Sequence, residues 1–144
     1  MSKKTCRRTV RDPMGWILKR SPMADDQQRD IGLTYRISLQ GLLTGHGNGQ
    51  AWATVSCALQ FAAALCERGI HAHALHTIRL AQEAMVRTRE RAKRHGKWAL
   101  DGDGIRAVQD AFNIHDQQIK TATRAVITET LEEVRKMVEE GELV

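Results

Sequence analysis

Proline and aromatic residues are scarce in this chain: two prolines, Pro13 and Pro22, and six aromatic side chains among 144 residues. Beyond Pro22 no ring removes a backbone donor, and the abundance of Ala, Leu, Gln, Arg and Glu favours helix. Three cysteines, Cys6, Cys57 and Cys66, are too few and too irregularly spaced for a disulfide framework. On one helix Cys57 and Cys66 would lie about 13 Å apart along the axis and on opposite sides. That excludes a bond between them and fits reduced thiols in a cytoplasm. Residues 37–66 contain no Asp, Glu, Lys or Arg. A glycine-rich joint interrupts this run, however, and residues 51–66 fall short of the roughly 20 apolar residues that a membrane span needs. Trp16-Ile17-Leu18 is likewise too short for the apolar core of a secretory leader.

What is present is a soluble composition, 42% hydrophobic and 27% charged, of a length suited to one domain with a real core. The net charge of +5 is unevenly placed. Residues 1–20 hold Lys3, Lys4, Arg7, Arg8, Arg11, Lys19 and Arg20 against Asp12 alone, and the remainder sums to −1. The chain is therefore expected to divide into a basic extended arm, 1–22, and a single helical domain, 23–144. Asp12-Pro13 marks a turn in the arm, and Trp16-Ile17-Leu18 could anchor it on the body.

Helical periodicity organises the domain. Ile31, Tyr35, Leu39 and Leu42 form one stripe of a helix over about 25–43. Trp52, Val55, Leu59, Ala62, Ala63 and Cys66 line one face of a helix over 50–68, with Ala58, Phe61 and Leu65 on another. A helix apolar on several sides belongs at the centre of a bundle. A third helix, 72–95, is followed by Gly96 and by Trp98-Ala99-Leu100, which should fold back on the core. A last helix, 103–140, would be roughly 55 Å long if unbroken. The expectation is an all-α, compact bundle of about four helices with a long C-terminal helix. Its free part would overhang the bundle or pack on a second copy as a homodimer.

Four places attract functional readings. The joint Thr44-Gly45-His46-Gly47-Asn48-Gly49 has the glycine content of a phosphate loop, but a helix precedes it where such loops follow a strand. An anion or small ligand at His46, Asn48 and Gly49 would meet the free N–H groups of the following helix. A plain turn, with Gly45 ending one helix and Asn48 capping the next, accounts for the same residues. His71, His73 and His76 have the types for an open zinc site, without the carboxylate of a catalytic motif; polar histidines at a helix start are the simpler explanation. His115 sits in core phase between Phe112 and Ile119, and because Asp116 and Gln117 point elsewhere its partner should come from another helix. Arg87, Arg91 and Arg94, with Lys97 beyond them, form a basic stripe that could meet phosphates or an acidic protein face. Asp101-Gly102-Asp103-Gly104 lacks the ligands of a calcium loop and reads as a helix cap. No nucleophile elbow, paired carboxylates or Cys–His pair argues for catalysis, and no cofactor is indicated.

The run Lys4-Thr5-Cys6-Arg7-Arg8-Thr9-Val10-Arg11-Asp12-Pro13-Met14-Gly15-Trp16, together with "LLTGHGNGQAW", "WALDGDGI" and "AFNIHDQQI", resembles small helical, mostly uncharacterised proteins of proteobacterial prophages. The resemblance covers most of the chain and carries no functional residue over. It implies a phage origin and work in a bacterial cytoplasm, where such proteins bind host machinery or regulate genes. The expected function is a non-enzymatic interaction protein that binds and inhibits a bacterial host protein or nucleoprotein complex, in the manner of an anti-defence or anti-CRISPR-like inhibitor. Arg7, Arg8, Arg11, Arg87, Arg91, Arg94 and Lys97 would make the contact. A nucleic-acid-binding regulator using the same residues is the alternative, and a small-ligand or metal module is the third.

Overall fold

The computed structural model describes residues 25–141, with the backbone alone at residues 25, 27, 30 and 31. The arm 1–22, with Arg7, Arg8, Arg11 and the Trp16-Ile17-Leu18 anchor, lies outside the described residues. Five α-helices and no strand occur among those described: α1 (Asp25–Thr44), α2 (Gly49–Glu67), α3 (Leu75–His95), α4 (Gly102–Thr121) and α5 (Arg124–Glu139). A single 3-10 turn, Ala72–Ala74, leads into α3.

Helix α2 is central, packing against each of the other four helices. Its residues from Val55 to Cys66 are buried at every position except Cys57 and Gln60. Val55, Ala58, Leu59 and Ala62 meet Leu39 and Leu42 of α1, Ile78 and Met85 of α3, and Val108 and Phe112 of α4. Phe61, Ala64 and Leu65 instead meet Ile119, Ala122, Ile127 and Val134, a second core built around α5. Helices α3 and α4 approach closely because small residues face each other: a Cβ on Gly104 would come within 3.1 Å of the Ala84 side chain.

The ends follow from local chemistry. Asn48 caps α2, its Oδ1 accepting from Ala51 N–H at 2.7 Å. The same helix stops in a Schellman arrangement, with Gly69 N–H donating to Cys66 O and Ile70 N–H to Leu65 O. Asp101 caps α4 through Gly104 N–H at 2.6 Å, as the cap reading of that segment required.

The expected helix over 103–140 is two helices. Ala122 adopts extended backbone, and Thr123 starts α5 as its N-cap, Oγ1 accepting from Val126 N–H. The reason is burial: an unbroken helix would carry Ile127 and Val134 away from the lower half of α2, whereas the break folds them onto Phe61 and Leu65. Arg68, at the end of α2, grips Glu129 and Glu133 of α5 at 3.2 and 3.0 Å. Among the described residues the count is therefore five helices, not about four. The overhang on which the expected homodimer rested is not formed, although Leu131 and Val138 remain on the surface.

The joints α1–α2 and α3–α4 lie side by side, Leu100 N–H reaching Leu42 O at 3.5 Å. Gly45 turns the chain with φ +77°, and at Gly47 a Cβ would stand 2.5 Å from the Trp98 carbonyl oxygen and 2.6 Å from Leu42 Cδ2. We predict that Gly47→Ala lowers stability by roughly 1–3 kcal/mol. Gly32→Ala, at a helical position with nothing within 4 Å of the added carbon, should raise it by up to about 1 kcal/mol. Urea midpoints of the two variants against wild type check this, and equal shifts would contradict the packing at the joint.

Candidate functional site

The structure brings two of the sequence candidates together at one end of the bundle. Helices α1 and α3 finish there, and α2 and α4 begin there. Lys97 Cε lies 3.6 Å from where a Cβ of Gly45 would be, and a Cβ on Gly49 would lie 3.6 Å from the Trp98 ring. The last turn of α3 contributes Lys93, Arg94 and His95, which the partial negative charge of a helix C-terminus favours. His46, Asn48 and Gly49 are exposed beside them.

The basic stripe does not act as one unit. Arg87 and Arg91 both bind the Asp101 carboxylate, Arg87 Nε at 3.0 Å and Arg91 Nη1 at 3.2 Å from Oδ2. Arg91 Nη2 also donates to Ala99 O at 2.6 Å. These two arginines clasp the α3–α4 joint. Arg94 points outward, its Nε only 3.5 Å from Glu90 O of its own helix, and Lys97 is exposed. The Arg87 guanidinium holds the Asp101 carboxyl below its ordinary pKa, the Gly104 N–H and Arg91 adding to the effect against the opposing cost of burial. Arg89, next to the stripe, turns inward and places its guanidinium 5.3 Å from the centre of the Trp52 ring, a cation–π contact. The Trp52 indole N–H donates to Met85 O at 2.8 Å.

The three histidines of the cluster do not converge. His71 and His73 rings stand 5.8 Å apart, but among the described residues no three His, Cys, Asp or Glu side chains converge on one point. His71 holds a left-handed conformation at the start of the 3-10 turn and its carbonyl accepts from Ala74 N–H and from the Cys66 thiol. His73 and His76 are exposed.

His115 is buried as its phase required, and its partner differs from the expectation. It comes from the same helix: Gln118, three residues on, places Oε1 3.1 Å from His115 Nδ1. Gln118 is itself fully buried. Its Nε2 lies 3.0 Å from Ala62 O, 3.1 Å from Ile70 O and 3.2 Å from Cys66 Sγ. Two backbone carbonyls can only accept, so that end of the amide is the NH2 group and Oε1 must face the imidazole. Nδ1 therefore carries the hydrogen and donates. Nε2 is left as a bare acceptor, buried and without a partner. Burial pushes the His115 pKa down, the Gln118 bond and the Asp116 charge opposing it. Burial also pushes the Cys57 and Cys66 thiols up, away from thiolate. Sequence reasoning missed Gln118, although His115 and Gln118 at i and i+3 on one face were the available signal.

Comparison with family models, with curated proteins and with solved structures finds no match to this chain. No described helix is long and apolar enough to cross a membrane.

Two outcomes test this geometry. Asp101→Ala should cost about 1–2 kcal/mol through the lost cap, and Asp101→Asn should recover most of it because Asn caps as well as Asp. The part due to the charge belongs to a carboxyl whose folded pKa is depressed. The stability difference between wild type and Asp101→Asn should therefore be full above about pH 4 and shrink as pH falls through the folded value, as read by chemical denaturation. For His115 the folded pKa is also depressed, so the unfolded chain takes up a proton that the folded one does not. Wild type should lose stability relative to His115→Phe as pH falls below about 6.5. A flat difference across that range would place the imidazole in contact with water.

Proposed function

We propose that the chain is a non-enzymatic, phage-type interaction protein that binds and inhibits a bacterial host factor, docking through the basic end of the bundle onto an acidic protein face. The observation that carries this reading is the junction of the two joints. Arg94, Lys97, Lys93 and His95 stand beside His46 and the exposed N-terminus of α2, so several sources of positive potential share one small surface.

The division of the stripe favours a protein partner over a nucleic acid. A phosphodiester backbone is followed by a track of cations, each neutralising one phosphate. Here Arg87 and Arg91 are committed to Asp101, and Lys93 pairs with Glu90 at 3.7 Å. What remains is a compact patch, suited to a localised acidic patch that steers encounter and sets register. Arg7, Arg8 and Arg11 of the basic segment would add to the same attraction. The resemblance to prophage proteins suggests the host setting, a bacterial cytoplasm in which such proteins bind host machinery or regulate genes.

The test is capture from nuclease-treated bacterial lysate with wild type and with an Arg94→Glu/Lys97→Glu variant, which spares the Asp101 clasp. A partner retained by wild type after nuclease treatment and lost by the variant, at unchanged melting temperature, is the expected result. Equal recovery with both proteins would show that the basic end is the wrong surface. Loss of capture on nuclease treatment, with steeply salt-dependent binding to mixed DNA or RNA, would establish the nucleic-acid reading instead.

A further inference from the structure

At the other end of α4, a cavity of about 470 Å³ lies between α1 and α4. Its walls include Leu33 and Tyr35 from α1 and His115 and Ile119 from α4, and Arg29, Arg36, Asp116 and Lys120 are also part of its lining. Gly32 keeps the α1 wall low, since no atom lies within 4 Å of where its Cβ would be. The volume falls in the range of small-molecule sites, which pair an apolar lining with a few polar groups.

Three features of this cavity point to one class of occupant. Its charged groups are three cations against one carboxylate, and Asp116 is already engaged by Arg36. Arg29 and Lys120 are exposed and form no ion pair among the described residues. The Tyr35 ring packs 5.9 Å from the imidazole and 6.3 Å from Phe112, giving a flat apolar wall. The imidazole itself offers Nε2, a buried acceptor with no donor. A phenyl ring in its place would bury without that unmet acceptor, and a buried acceptor left unpaired is destabilising. A donor delivered from the cavity would cancel that cost.

We infer that this cavity binds a small organic anion that carries a hydroxyl or amino donor at the end remote from its charge. The anionic group sits between Arg29 and Lys120. The apolar middle lies along Tyr35 and Ile119. The donor reaches His115 Nε2, which has no exposure of its own, when the rings packed on the imidazole, Tyr35 at 5.9 Å and Phe61 at 5.0 Å, give way. The neutral, Nδ1-protonated tautomer imposed by Gln118 is the one that can accept this bond. The inference does not depend on the basic end, and either can fail without the other.

The experiment uses the full chain and three probes: 4-hydroxybenzoate, which has ring, donor and charge; benzoate, which lacks the donor; and phenol, which lacks the charge. Titration calorimetry gives affinities, and long-range proton–nitrogen spectra report the His115 Nε2 and Tyr35 ring resonances. The expected result is that 4-hydroxybenzoate binds at least roughly tenfold more tightly than either relative and moves the Nε2 resonance, which benzoate leaves in place. In His115→Phe the advantage over benzoate should vanish. In Lys120→Glu, an exposed change that leaves the core intact, both anions should weaken and phenol should not. The proposal is overturned if 4-hydroxybenzoate binds no better than benzoate, if none of the probes moves the Nε2 resonance up to its solubility limit, or if Lys120→Glu binds all three as wild type does.

Discussion

The buried amide of Gln118 is the interaction on which the arrangement of this molecule depends. One side chain on α4 places its amide nitrogen within reach of the Ala62 carbonyl inside α2, the Ile70 carbonyl in the following turn and the Cys66 sulfur, its two hydrogens shared among the three acceptors. It thereby ties α4 to α2 and to the turn that follows α2. An amide left unpaired there would cost several times what a typical hydrogen bond contributes, so the bonds specify one register of α4 against α2. That register decides which face of α4 points at α1. His115 follows from it, both in position and in tautomer, because the amide can present only its oxygen to the imidazole. The chemistry of the cavity is therefore a consequence of how the core is held.

The opposite end obeys a different constraint, close approach of backbones. Gly47 lies under the Trp98 carbonyl and Leu42, Leu100 bonds Leu42, and Asp101 closes the second joint with a cap and two guanidinium contacts. Ion pairs this exposed contribute little each. Their effect is on charge: the one carboxylate between Arg87 and Arg91 offsets one of their two positive charges and holds both guanidinium groups at the joint, while Arg94 and Lys97 stay exposed. Structural need and binding capacity thus compete for the same arginines, and the competition is settled residue by residue along one helix.

Much of this was readable from the residues. The helices expected at 25–43 and 50–68 occur at Asp25–Thr44 and Gly49–Glu67, since Gly45 and Asn48 are strong local signals and α2 is apolar on several sides. The cap at Asp101 and the return of Trp98 to the core followed in the same way. The break after Thr121 was not readable. No glycine or proline marks it, and Thr123 lacks the Glu three residues later that would complete a capping box, Val126 standing there instead. The apolar stripe steps from Val126 to Ile127 at that point, a shift that straight-helix drift explains equally well. Only the tertiary gain of burying Ile127 and Val134 on α2 decides between the two. The site was legible in part for a similar reason. His115 announced itself by phase, but Arg29, Tyr35 and Lys120 are ordinary residues until two helices set them around one cavity.

Helix α4 links the two regions physically. Its first turn is held by Asp101 at the basic end and its last by Gln118, Ile119 and Lys120 at the cavity, a separation of roughly 25 Å along the axis. A helix anchored at both ends transmits a change only by moving as a body, and the small-residue contact of Gly104 with Ala84 resists sliding because a shift of one residue would bring larger side chains against α3. A ligand at His115 that displaced only the rings packed on the imidazole would leave that contact untouched. The proposed occupancy of the cavity and the proposed docking at the basic end would therefore be energetically separate, unless a ligand bore on α4 itself strongly enough to disturb the Gln118 bonds.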